Sequence, residues 1–196
     1  MQSIKIIYIG LLAFLVTDND PAHNILESFR IHAQEAYKHE LELHPLEGKW
    51  YYNDTPFTGY ALSYHANGTL AEQIAFKNGK KHGVFRKWYP TGQLRTEGQY
   101  AHNRLNKELK SWWSNGNLST TSFYVMGERH GKQCKWYPNG QLARLIHLNF
   151  GKEDGLQQAW LQSGKLYANY EAKNGRFFGL KRSNLCYELK DEVVQQ

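Results

Sequence analysis

Gly131-Lys132-Gln133-Cys134-Lys135-Trp136-Tyr137-Pro138-Asn139-Gly140-Gln141-Leu142 carries the pattern of a β-hairpin. A strand runs into Pro138-Asn139-Gly140 and a second strand leaves from Leu142. Asn-Gly is the strongest short hairpin signal, because both residues tolerate positive φ. Ala66-Asn67-Gly68, Pro90-Thr91-Gly92 and Ser114-Asn115-Gly116 repeat that turn in place, and Asn78-Gly79 and Asn174-Gly175 mark a return turn into the next unit. Each unit is therefore two short strands and two turns. A lone hairpin is marginal in water, so stability has to come from stacking each hairpin on its neighbours.

Outward from that stretch the same pattern recurs every 24 residues. Gly68, Gly92, Gly116, Gly140 and Gly164 form one column. Two residues after each stands Leu70, Leu94, Leu118, Leu142 or Leu166, and four before each stands Tyr64, Trp88, Trp112, Trp136 or Trp160. A second glycine column (Gly59, Gly83, Gly131, Gly155, Gly179) opens the units, broken at Lys107. A third (Gly79, Gly127, Gly151, Gly175) closes them, broken at Asn103. Periods of 20–50 residues mark repeat architectures, and several columns in one phase exclude coincidence. The fold class expected is mainly β: an elongated antiparallel sheet of tandem 24-residue hairpins with an N-terminal amphipathic helix. Full units span about 59–82, 83–106, 107–130, 131–154 and 155–178, with a partial unit over 179–196. The Trp and Leu columns flank the same turn and should pair across it into a ladder along the sheet. The Trp column reads as hairpin packing, with sugar or base stacking as the alternative. The departures at Asn103 and Lys107 share one junction and should bend or loosen the array there.

The 49–196 array differs in charge from what precedes it. Residues 1–48 hold three Lys/Arg against seven Asp/Glu, whereas residues 49–196 hold 21 against 11, a balance of +10. A basic surface attracts anionic partners, though edge lysines also serve to keep strands from aggregating. Residues 1–19 read as a signal-like hydrophobic segment: Lys5, then the apolar run Ile6–Val16, too short for the roughly 20 residues that span a bilayer. Export is the expected localisation, with an uncleaved anchor or a buried cytosolic segment as alternatives. Residues 20–48 read as helix and linker. Asp20-Pro21 suits a helix start, and Ile25, Phe29, Ala33, Ala36 and Tyr37 fall on one face of an amphipathic helix reaching about Leu43. Its expected role is to cover the open first edge of the array.

Catalytic signatures do not emerge. Cys134 and Cys186 lie two repeats apart, about 20 Å at ~4.8 Å per strand, beyond disulfide reach. They read as free thiols, and neither Cys nor His spacing resembles a metal site. His32, His39 and His44 read as solvent-facing helix residues; His82 and His130, each just before an opening Gly, as a structural slot at a turn; Glu97, Glu108, Glu153 and Asp154 as solvated carboxylates. No catalytic residue, metal ligand or cofactor is expected, and the chain reads as a monomer that is not an enzyme.

The opening Gly, the Trp-Tyr-x-x-Gly-x-Leu centre and the Asn-Gly-Lys-x-x-Gly junction resemble the MORN-variant repeat (membrane occupation and recognition nexus, second type) from Phe57 to about Tyr187. Trp50-Tyr51-Tyr52-Asn53-Asp54-Thr55-Pro56-Phe57-Thr58-Gly59 also looks like that family, where it supplies the last strand before the first full unit. Bacterial proteins of this kind are commonly labelled YwqK-type antitoxins, a label in tension with an export signal. The resemblance implies a scaffold of successive hairpins. Three functions are compatible with these features: a protein-interaction scaffold, antitoxin-like or in the cell envelope; peripheral binding to anionic lipid headgroups through basic hairpins; and carbohydrate binding on the aromatic face. No specific nucleic-acid binding is expected.

Overall fold

The turn chemistry is the cause of the architecture. A computed structural model describes residues 5–9, 12–16 and 34–180. Tips and return turns use different geometries. At the first tip the Gly68 amide donates to the His65 carbonyl at 2.9 Å and the His65 amide to the Thr69 carbonyl at 2.8 Å. Gly68 has φ +80°, while Asn67 is not among the residues with positive φ. This is a three-residue loop, a type I turn closed by a left-handed glycine, rather than the two-residue Asn-Gly turn expected there. The two-residue type sits instead at the return turns. Asn78 and Gly79 have φ of 49° and 75°, His102 and Asn103 48° and 68°, Met126 and Gly127 49° and 96°.

The described strands are β1 (Lys5–Ile9) and β2 (Leu12–Val16), paired antiparallel with each other, then β3 (Gln34–Tyr37), β4 (Glu42–His44), β5 (Lys49–Tyr52) and β6 (Thr55–Pro56). The hairpins follow: β7 (Gly59–Tyr64), β8 (Leu70–Lys77), β9 (Lys80–Trp88), β10 (Leu94–Ala101), β11 (Arg104–Leu105), β12 (Lys107–Trp112) and β13 (Leu118–Val125). The last are β14 (Glu128–Trp136), β15 (Leu142–Asn149), β16 (Lys152–Glu153), β17 (Gly155–Trp160), β18 (Leu166–Lys173) and β19 (Arg176–Leu180). One large sheet runs in the order β3-β7-β8-β9-β10-β12-β13-β14-β15-β17-β18-β19, with β11 on β10 and β16 on β15. It is an antiparallel array of hairpins throughout, except that β3 joins β7 in parallel.

Each hairpin pairs its aromatic with its leucine: Tyr64 with Leu70, Trp88 with Leu94, Trp112 with Leu118, Trp136 with Leu142 and Trp160 with Leu166. Immediately beyond every leucine the register skips one residue, as between Leu94 and Thr96. A bulge at the same place in every unit adds right-handed twist to each strand pair.

The helix expected to reach Leu43 is corrected from Gln34 onward; residues 20–33 lie outside the described residues. Gln34–Tyr37 is strand, Lys38–Glu40 is one 3₁₀ turn and Glu42–His44 is strand again. β3 nevertheless does the job assigned to a helix, since it pairs along the otherwise open first edge. β4, β5 and β6 form a small sheet of their own whose Trp50 and Tyr52 pack against the buried cluster Ala36, Leu41, Phe57, Ala61, Ile74, Phe76 and Phe85. That cluster is the core, and it sits under the first units on one face, termed here the covered face. Within it Glu72 is 8% exposed. Burial alone would raise its pKa, but ion pairs with Lys38 and with Lys87 (2.9 Å) outweigh that and hold it below the usual range. Burial lowers the pKa of Lys81, whose ammonium lies over the Trp50 and Tyr100 rings.

The junction carrying Asn103 and Lys107 is not loosened. Asn103 accepts from the Lys81 amide at 2.8 Å and donates through Nδ2 to the Gly48 carbonyl at 2.7 Å. Lys107 adopts φ 67°, a positive φ like those of the glycines in its column and close to the 69° of Gly131. Pairing across this junction is short, Thr96 with Ser111 and Glu97 with Lys110. It is equally short between β15 and β17, where both glycines are present. The departures are therefore not its cause.

Candidate functional site

Strand alternation places Val84, Arg86 and Trp88 opposite in direction to Phe85 and Lys87. The Trp and Leu columns thus lie on the face turned away from the core, the aromatic face. The Trp rings are all half-buried, partly packed within their own hairpins and partly on view.

A second ladder holds that face in shape. The residue after each aromatic reaches the next unit: His65 Nε2 meets the Trp88 carbonyl at 2.9 Å, and Tyr89 OH donates to the Trp112 carbonyl at 2.9 Å. Trp113 Nε1 donates to the Trp136 carbonyl at 3.1 Å and Tyr137 OH to the Trp160 carbonyl at 2.9 Å. Asn67 and Asn115 do the same from the turns, through Nδ2 to the Pro90 and Pro138 carbonyls at 2.8 and 2.7 Å. Each tip is thus tied to the following one by side chain–backbone hydrogen bonds of roughly 1 kcal/mol apiece. Sequence reasoning missed this ladder. Its signal was present as a column of donors at 65, 89, 113 and 137 in the same phase as the glycines.

Between β13 and β14 the aromatic face opens into a groove. Tyr124 pairs with Arg129 but Ser122 pairs with Gln133, so His130, Gly131 and Lys132 together oppose only Phe123. The resulting depression has a volume of about 470 Å³, lined by Glu108, Thr121, Phe123, Lys132, Cys134 and Trp136 among others. Phe123 is 41% exposed on its rim, and Lys132 has no carboxylate partner among the described residues. On the same face further along, Leu156, Leu166 and Phe178 are also exposed. Earlier on it, charges are already neutralised within the sheet: Arg86 pairs with Glu97 at 2.6 Å and Lys110 with Glu108 at 3.0 Å. The arrangement offers apolar, desolvatable surface with a lysine ammonium beside it.

Cys134 is a buried free thiol, and Cys186 lies outside the described residues, as does His32. His39 and His44 lie on the 3₁₀ turn and on β4 rather than on a helix. His82 and His130 are strand residues, half-buried, each with an Nδ1 that lacks a partner among the described residues. Glu153 is not simply solvated, because it accepts a 2.9 Å hydrogen bond from Tyr170 OH. Among the described residues no trio of His, Cys, Asp or Glu is placed to hold a metal ion.

Comparison with known families matches the description MORN repeat variant at three stretches, residues 57–78, 81–102 and 129–149. No curated protein matches the chain. The three matched stretches are in phase with the 24-residue period. The same hairpin geometry continues through Leu105–Val125 and Glu153–Lys173, which lie between and after them.

Proposed function

We propose that this chain is a non-catalytic scaffold that binds a protein partner through the aromatic face of its later units. The observation that carries this reading is the groove between β13 and β14, with exposed Phe123 on its rim. Exposed apolar side chains around a depression, held on a rigid sheet, are the usual anatomy of a protein interface. Repeats of the matched type are commonly modules for protein or membrane interaction, which agrees. The toxin-like or envelope identity of the partner rests on the family resemblance, export rests on the signal-like N-terminal run, and the chain is read as a monomer.

The test uses the purified full chain as bait in extract from its native cell, beside Phe123→Asp and Leu156→Asp variants. A stoichiometric protein recovered by the wild type and lost from both variants is the expected result. Retention by both variants would contradict the assignment of this face. Salt-sensitive sedimentation with anionic vesicles, in the absence of any protein partner, would favour the lipid reading.

A further inference from the structure

The covered face is roofed by β4–β6 only over the first units. Further along, its columns change chemistry. Phe85 and Leu109 are followed one and two periods later by Gln133 and Gln157; Thr96 and Thr120 are followed by Arg144. Gln157 is 1% exposed. Its Nε2 donates to the His147 carbonyl at 2.7 Å and to the Gly155 carbonyl at 3.2 Å, which fixes the amide with its oxygen turned away from those carbonyls. That oxygen, Oε1, is buried and has no hydrogen-bond partner among the described residues. An unsatisfied buried acceptor costs about 1–3 kcal/mol, and natural structures seldom leave one without a reason.

Gln157 lines a cavity of about 230 Å³ together with Arg144, Ile146, Ala159, Ala168 and Tyr170. Arg144 is half-exposed, and its ion-pair partner among the described residues is Glu153 at 3.9 Å. Glu153 is meanwhile engaged by Tyr170 OH at 2.9 Å. Tyr170 uses Oε2 of that carboxylate and Arg144 faces Oε1 through one terminal nitrogen. The rest of the guanidinium fork therefore has no carboxylate partner among the described residues, and a fork of this kind matches a carboxylate. The residues lining one cavity thus bring together a cation whose fork suits a carboxylate, a glutamine whose Oε1 lacks a partner among the described residues, and Ala159, Ala168 and Ile146, which suit a small apolar body.

We propose that this cavity binds a carboxylate carrying an adjacent N–H, the chemistry shared by an N-acylated amino acid and by the C-terminal residue of a peptide. The carboxylate meets Arg144, the N–H satisfies Gln157 Oε1, and the side chain rests on the two alanines. The volume suits one small residue, and the +10 balance of residues 49–196 favours an anion. Gln133 is the internal control. It is 5% exposed, holds strand carbonyls through Nε2 and likewise leaves Oε1 without a partner among the described residues, but Thr120 stands where Gln157 has Arg144.

The site lies on the opposite face from the proposed protein interface, so the two stand or fall separately. The experiment is an NMR titration of the full chain, following side-chain amides and arginine Nε–H groups. The probes are N-acetylalanine, its methylamide, and a trialanine peptide with a free or amidated C-terminus. Saturable shifts at Gln157 and Arg144 are expected with the free acids, with affinity at least tenfold weaker for the methylamide and the amidated peptide. Arg144→Gln, an exposed substitution that leaves packing intact, should weaken binding at least tenfold. Gln157→Leu should weaken it about fivefold, and Gln133→Leu should leave it unchanged. A free-acid peptide binding more tightly than N-acetylalanine would identify a peptide terminus as the source; the reverse order would identify a free acid. Absence of a saturable shift, equal response to the methylamide, or full binding by Arg144→Gln would overturn the proposal.

Discussion

Lys107 is a lysine in a position that glycine holds in the other units, and it keeps a positive φ there, 67°. That conformation costs an L-residue with a Cβ about 1–2 kcal/mol, partly offset because glycine has more freedom to lose on folding. Lys107→Gly should therefore raise the unfolding free energy by about 0.5–1 kcal/mol, measured by urea denaturation. A loss of stability would show that the lysine side chain makes a compensating interaction. Met126, at φ 49° in a return turn and 49% exposed, should behave alike: Met126→Asn gains a fraction of a kcal/mol, because asparagine tolerates this region. Gly98 has a different reason to be glycine. A Cβ there would lie 2.7 Å from Leu109 Cδ1 and 2.8 Å from Phe85 Cε1, so Gly98→Ala should cost about 1–3 kcal/mol through overpacking. These requirements were legible only in part. The glycine columns announced the special backbone positions, but Gly98 belongs to no column and its cause is two side chains from other strands.

At the scale of elements, the hairpins were readable because their turns are local chemistry. What escaped was how units hold one another. Tyr89, Trp113 and Tyr137 each donate across to the next unit, and such partners lie 23 residues apart, outside any local pattern. Tyr137→Phe removes one rung while leaving the ring in place. It should cost about 1–2 kcal/mol, since the half-buried Trp160 carbonyl loses its donor, and should raise hydrogen exchange selectively in β17 and β18. A uniform change across the sheet would mean that the rungs do not act locally. The stretch from Gln34 to Leu43 misled for a related reason. Apolar spacing suggested a helix, but β7 presented an unpaired edge, and pairing with it wins over local propensity.

For the molecule as a whole, the covered face stores a pH dependence. Lys38 and Lys87 hold Glu72 below its unfolded pKa, so the charged form stabilises the fold at neutral pH. That contribution is fully present above the carboxylate's unfolded pKa and is lost as pH falls through the folded one. Thermal unfolding followed from pH 7 down to pH 3 should show a weaker acid dependence in Glu72→Gln than in the wild type; identical profiles would show that the triad carries no linkage. The basic balance of the array was visible in composition, whereas this buried carboxylate between two lysines from different elements was not. Nor was the face-by-face division of labour, in which one side is roofed at its start and the other is grooved near its middle. Composition and period give the columns; only the register of β13 on β14 makes the groove.

Successive 24-residue units stack as one continuous sheet, each adding two strands. Spin labels at the exposed turn residues Ala66, Ser114 and Gln162, in a chain with Cys134 and Cys186 replaced by alanine, measure this directly by double electron–electron resonance. At ~4.8 Å per strand, labels two units apart should lie roughly 20 Å from each other and labels four units apart up to about 40 Å, shortened somewhat by twist. Narrow distributions that lengthen from Ala66–Ser114 to Ala66–Gln162 are the expected result. Equal distances for the two pairs, or broad distributions without progression, would contradict a continuous array.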